Sequence, residues 1–233
     1  MSYNIIRAVA KKKTSDVVGL FKRKKKRVDE NLPLKVKIGG LIELDEPALL
    51  AYHGLIQFEF PRFPAVVETV GKIDLGGNVF AHRCYLEKAE SFLQIVTEND
   101  VVAECRLYVL DREIYPSSDA DWDLWIDPET GIVGSPDVLH GEPEELLYSR
   151  EWVDGEYQAD PVHIRERFLK DPFGEDVVVE EQQAMSYFRV ASGNPEDEED
   201  PQRVDEFLLI SVGDGVVELY LGVDLLESEI TVI

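Results

Sequence analysis

Four histidines, two cysteines and 47 acidic residues are the groups in this chain that could do chemistry. The histidines are His53, His82, His140 and His163, and they are scattered. No HExxH is present to place two imidazoles and a glutamate base on one helical face, and no CxxC or GxSxG occurs. A Ser-His-Asp set assembled only in space stays open, since such sets are defined by geometry and not by order. His82 and Cys84 share a strand face, but a metal needs three or four ligands, so no metal is expected. Asp119, Asp121 and Asp123 open like a calcium loop. That loop then needs Gly at 124 and Glu at 130, where this chain has Leu124 and Thr130. Acids at a helix N-terminus, complementing its dipole, explain them without an ion. Leu75-Gly76-Gly77-Asn78 reads as a tight turn, because neither GxGxxG nor GK[ST] is present to cradle a phosphate. No cofactor is expected. An enzyme here would need a pocket where residues such as Asp74, His82, Glu104, Arg106 and His163 converge.

The elements that must position these groups are mostly strands. Val79–Leu86, Phe92–Thr97 and Val101–Leu110 are β-rich runs joined by short polar links. Links this short favour an antiparallel meander, because parallel neighbours need a long crossover. On the third run Val101, Ala103, Cys105, Leu107 and Val109 share one face, expected to be core, while Glu104, Arg106 and Tyr108 share the other. Cys84 and Cys105 then lie two strand spacings apart, roughly 10 Å. That exceeds the reach of about 7 Å for a disulfide, so both are expected as buried thiols. Leu34–Leu44 reads as a strand broken by a turn or bulge at Gly39-Gly40, and Leu55–Phe60 as a further strand. Asp45-Glu46-Pro47 starts a short helix, and Ser118 caps another that runs through Trp125. Residues 127–175 read as irregular loops with brief strands. Val177–Glu180 and Met185–Val190 are strand-like, and Asn194–Asp200 is a solvated acidic loop. Phe207–Val212 and Val216–Val223 flank Gly213-Asp214-Gly215, a strong hairpin signal. The expected class is α+β: mainly antiparallel sheet, with a meander, a C-terminal hairpin and a few short helices.

Charge divides the chain unevenly. Residues 1–28 hold ten Lys and Arg against one acid, Asp16; the remaining residues hold 14 against 46. The expected organisation is a basic arm over 1–30 and one acidic β-rich domain over 31–233. Ile6, Val9, Ala10, Val17, Leu20 and Phe21 recur at helical spacing before the basic run. A flexible, solvated arm is the plain alternative. Lys11, Lys12, Lys13, Lys22, Arg23, Lys24, Lys25, Lys26 and Arg27 are the candidate contacts to anionic lipid or an acidic partner, each worth about 1 kcal/mol at a charged membrane. The acidic body repels phosphate backbones, so nucleic acid is not expected as its partner; a basic protein or a polyamine is. No apolar run approaches the roughly 20 residues that cross a bilayer. The N-terminus lacks a secretory pattern, so a cytoplasmic protein, peripheral to the inner membrane through its arm, is expected.

Several phrases together point to a family: LPLKVKIGGLIELD (32–45), VGKIDLGG (70–77), HRCYLE with FLQIV (82–96), DWDLWI with IVG (121–134), EWVDG (151–155), MSYFR (185–189) and FLLISVGDGVVELYLGVDL (207–225). In these the chain resembles the YjfK-like family of uncharacterised bacterial proteins. The resemblance covers roughly residues 32–226 and rests on turn glycines and strand cores, so it implies a fold and no catalytic residues. It also implies a setting near a phage-shock-type membrane-remodelling protein and, in some gene clusters, a glutathionylspermidine-synthase-like enzyme. The basic arm and the Asn194–Asp200 loop fall outside that pattern. The expected function is a non-enzymatic binding or adaptor protein near the inner membrane surface in an envelope-stress-type system. The alternative is an enzyme of unassigned class acting on a cationic, polyamine-like substrate.

Overall fold

Twelve strands form along the described chain: β1 (Leu41–Leu44), β2 (Ala65–Gly76), β3 (Val79–Leu86), β4 (Ser91–Glu98), β5 (Val101–Ile114), β6 (Asp137–His140), β7 (Leu146–Arg150), β8 (Val162–Leu169), β9 (Val177–Ser192), β10 (Val204–Gly213), β11 (Val216–Asp224) and β12 (Ile230–Val232). The computed structural model describes residues 27–141, 145–195, 197, 200 and 202–233. Every pairing among these strands is antiparallel. The order β2-β3-β4-β5-β11-β10-β9 is closed by β8, which pairs with β9 on one side and β2 on the other. The result is an eight-stranded barrel with β1, β12, β6 and β7 as additions to its wall.

This corrects the expected α+β class. Only two α-helices occur in the described residues, α1 (Glu46–Leu50) and α2 (Asp119–Ile126), and neither has a buried residue. The meander β3-β4-β5 and the hairpin β10-β11 exist, but as staves of a closed barrel and not as an open sheet. Closure removes the free edges that an open sheet would expose. The hairpin turns at Asp214-Gly215, both at positive φ, as a two-residue turn between right-twisted strands requires.

Local readings change too. Of the broken strand read over Leu34–Leu44, the second half forms β1, while the first does not pair: Pro33–Lys35 is a 3-10 turn. Leu55–Phe60 is irregular, bounded by prolines that cannot donate to a ladder. The two runs on either side of Glu181 are one strand, β9. The stretch read as loops with brief strands contains β6, β7 and β8, and β8 is the strand that closes the barrel. The arm lies outside the described residues up to Lys26, and part of the Asn194–Asp200 loop does as well.

The wall is buried on both sides. Outside β2–β5, Val70, Cys84, Leu93, Ile95, Cys105 and Leu107 lie under residues 32–63. Outside β9–β11, Met185, Tyr187, Leu208, Ile210 and Leu219 lie under α2 and the segment that follows it. Ser118 caps α2 by accepting the Asp121 N–H at 3.2 Å, and Trp122 and Trp125 reach that core. Inside the barrel, Ile73, Ala81, Phe92, Tyr108, Ile164, Ala184, Phe207 and Leu209 fill the lumen. The face that carries Arg106 and Tyr108 therefore points into the barrel, and both residues are as buried as the apolar face opposite. Cys84 and Cys105 are free, buried thiols, and burial pushes each up to about 12.

Candidate functional site

A row of register positions crosses the lumen, one from each of five neighbouring strands, and four of the five carry polar side chains. Register places Gly71 of β2 beside Arg83 of β3, Arg83 beside Gln94 of β4, Gln94 beside Arg106 of β5, and Arg106 beside Asp224 of β11. Alternation along each strand turns all five inward. Arg83 and Arg106 are each 3% exposed, so both guanidinium groups need partners inside.

Arg83 finds Glu166 on β8. Its Nη1 donates to Glu166 Oε2 at 3.0 Å, and its Nε donates to Gln94 Oε1 at 3.2 Å. The Tyr85 hydroxyl donates to Glu166 Oε1 at 3.0 Å, and Gln182 Nε2 lies 3.4 Å from Oε2. Arg83 and Glu166 stand on strands either side of β2, and they meet because Gly71 between them has no side chain. A Cβ there would sit 1.6 Å from Glu166 Oε1. Burial pushes the Glu166 carboxyl above its ordinary range, and the Arg83 guanidinium and the Tyr85 hydroxyl beside it pull back only part of that shift.

Arg106 is held by three carboxylates. Its Nε donates to Asp224 at 2.7 Å, its Nη1 donates to both Glu151 oxygens at 3.1 Å, and Glu104 lies at 3.6 Å. Its guanidinium carbon sits 3.3 Å from the Phe207 ring centroid. Glu151 follows β7, and its own N–H donates to Ser186 of β9 at 2.8 Å. The next residue, Trp152, packs against both the lumen and the outer core.

Of the residues expected to converge in an enzyme, Glu104 and Arg106 meet and the others do not. Asp74 accepts the Gly76 N–H at 2.9 Å in the β2-β3 turn. His163 is exposed on β8. His82 lies buried on the outer side of β3, opposite Lys72, with no partner for Nδ1. Burial, with the Lys72 charge second, lowers His82 to about 4. The sign follows from linkage: the unfolded imidazole takes a proton near 6.5 and the folded one does not, so stability present above 6.5 is lost as pH falls toward 4. His82→Leu is therefore expected to flatten the acid limb. Between pH 6.5 and 4.5 the parent should lose about 2 kcal/mol more than the variant, and parallel limbs in urea titrations would contradict this.

Among the basic candidates, Lys11 through Lys26 lie outside the described residues. Arg27 is described, and it grips Asp29 with Nε at 2.8 Å and Nη2 at 2.6 Å while also donating to the Ile38 carbonyl. Arg83, Glu166 and Glu206 carry no sequence signal of their own. Each is an ionisable residue at a buried register position, Arg83 and Glu166 inside the barrel and Glu206 on its outer side, and such positions can be used only once faces are known.

Two concavities, about 300 and 530 Å³, are shallow and acid-lined, one beside Arg150 and one beside Arg112. In the first, Arg150 is spent on the carbonyls of Gly134, Val153, Gly155 and Tyr157. No group of three or more His, Cys, Asp or Glu among the described residues is placed to hold a metal.

Fold and site together define an antiparallel β-barrel with a packed lumen, whose two buried guanidinium groups, Arg83 and Arg106, are bonded to carboxylates. The chain belongs to the DUF2491 family of proteins of unknown function, whose model matches residues 19–231. No curated protein and no solved structure matches it.

Proposed function

We propose that this protein is a binding or adaptor module working by surface contact, with its basic run directed at an anionic membrane and its acidic body at a basic protein or polyamine. One observation carries the reading: the ionisable groups gathered inside the barrel, Arg83 with Glu166 and Arg106 with Asp224 and Glu151, are committed to each other. The acid excess remains for the outside, with 46 acids against 14 bases after residue 28. No helix of the described residues is long and apolar enough to cross a membrane, so contact with a bilayer would be peripheral or made by other means. The resemblance to YjfK-like bacterial proteins supports a place at the inner face of the envelope. The alternative, an enzyme on a cationic substrate, leans on Glu104, Glu151 and Asp224 meeting; all three face Arg106 and are neutralised by it in part.

Co-sedimentation with vesicles tests the membrane half. The full chain should partition onto phosphatidylglycerol-containing vesicles at low salt. Replacing Lys22, Arg23, Lys24, Lys25 and Lys26 by glutamine should weaken this at least about a hundredfold, at about 1 kcal/mol per basic residue. Equal partition of parent and variant, or none by the parent, removes that half.

A further inference from the structure

We infer that the turn joining β8 to β9, together with Val28, is an apolar foot that enters an anionic lipid surface beside the basic run. The inference rests on the membrane half of the reading above and goes beyond it by naming the inserting residues.

The root of the arm is fixed at this turn. Arg27 is clamped to Asp29, which is itself fully buried and accepts the Ile38 N–H at 3.0 Å. The Val28 N–H donates to the Pro172 carbonyl at 2.9 Å, and the Val28 side chain lies over Gly174, 3.3 Å from where a Cβ would stand. Lys22-Arg23-Lys24-Lys25-Lys26 therefore ends two residues before Val28, which is bonded down beside the turn.

The turn is preformed. Asp171 accepts the N–H of Phe173 at 2.7 Å and that of Asp176 at 2.6 Å, and Lys170 N–H closes the loop on the Asp176 carbonyl. The Asp171 charge is thus turned inward on backbone donors. Phe173 is left 41% exposed and Val28 46% exposed, adjacent through Gly174. Ordering is already complete, so insertion costs little conformational entropy.

Charge chooses the occupant. In sequence, residues 22–30 and 170–176 hold seven basic residues, Lys22 to Arg27 and Lys170, against five acids, Asp29, Glu30, Asp171, Glu175 and Asp176, a positive balance in an otherwise acidic protein. A soluble polyanion would satisfy the basic run but offer nothing to Phe173 and Val28. An anionic bilayer satisfies both, and stable membrane attachment generally takes two such signals.

The test uses the full chain with vesicles of phosphatidylcholine and phosphatidylglycerol in equal parts, and of phosphatidylcholine alone. Phe173→Ser and Val28→Ser are each expected to weaken partition onto the mixed vesicles by about tenfold, a share of what burying such side chains gives. Their salt dependence should match the parent, because no charge has changed. Phe173→Trp should keep parental binding and shift its emission to the blue on mixed vesicles only. If the parent binds and both serine variants bind equally well, the foot is overturned and the basic run alone stands. If the parent binds polyglutamate as tightly as vesicles and neither serine change matters, an acidic protein is the occupant and the inference falls. If the parent binds no anionic vesicle at low salt, both readings fall. Should Phe173→Ser lower the melting midpoint, Val28→Ser decides.

Discussion

Gly71→Ala is expected to destabilise the protein by about 3–5 kcal/mol, the usual cost of breaking a buried ion pair from one side. Backbone conformation is not the reason, since Gly71 is absent from the glycines at positive φ and sits in an ordinary strand. In an unhindered strand, alanine is better than glycine by roughly 0.5–1 kcal/mol. Here the added Cβ would fall 1.6 Å from Glu166 Oε1 and 2.6 Å from Cδ, so the carboxylate must leave Arg83. Arg83 is 3% exposed, and its remaining partners, such as Gln94, carry no charge to balance it. A double-mutant cycle isolates the cause. In a Glu166→Ala background the clash is gone, and Gly71→Ala should cost less than about 1 kcal/mol or stabilise. Additive losses in guanidinium titrations would show that the glycine is needed for something other than the approach of Glu166.

The pairings made by neighbouring runs are legible in the sequence, and the closure is not. Gly213-Asp214-Gly215 between two apolar runs announces the β10-β11 hairpin, because only a positive-φ pair turns that tightly. The links after Leu86 and Glu98 are too short for anything but antiparallel return. Closure depends on β8, VHIRERFL, whose inward positions are Val162, Ile164, Glu166 and Phe168. A glutamate in the middle of that face breaks the apolar alternation, and Arg165 and Arg167 on the outer face make the run look like surface loop. Without β8 the remaining strands read as an open sheet, and two short helix signals then carry enough weight to suggest α+β.

The polar row is hidden for a related reason. Arg83, Gln94 and Arg106 occupy one position per strand, and their adjacency exists only through register. Alternation alone puts Tyr108 and Arg106 on a face opposite the core, because strands in a one-sided sheet expose one face. In a barrel whose outer wall is also covered, both faces are interior, and the polar one must satisfy itself. Lumen charges on this fold are therefore weak indicators of catalysis, because a covered barrel must pair any charge that its register turns inward.

Glu206→Ala should cost about as much as Gly71→Ala, and by a route that reaches the irregular cover of the barrel. Glu206 is fully buried on the outer side of β10. Its Oε2 accepts from the Tyr148 hydroxyl at 2.7 Å and from Arg189 Nε at 2.7 Å, while its Oε1 accepts the Gln57 N–H. Arg189 also donates to the Leu55 carbonyl at 3.0 Å. One carboxylate thus joins β7, β9 and the segment 51–60, which has no ladder of its own to hold it. Alanine leaves a guanidinium, a phenol and an amide without their acceptor, for an expected loss of about 3–5 kcal/mol. Tyr148→Phe, which removes one donor and strands no charge, should cost only about 1–2 kcal/mol. Replacing both ends of the ion pair, Glu206→Leu with Arg189→Met, should recover much of the loss, because no buried charge then remains unpaired. Hydrogen exchange supplies the local readout: protection at the Gln57 amide should fall in Glu206→Ala further than protection in β3 and β4. Uniform loss across the barrel, with Gln57 no worse than its neighbours, would mean that Glu206 supports the wall alone and does not hold the cover.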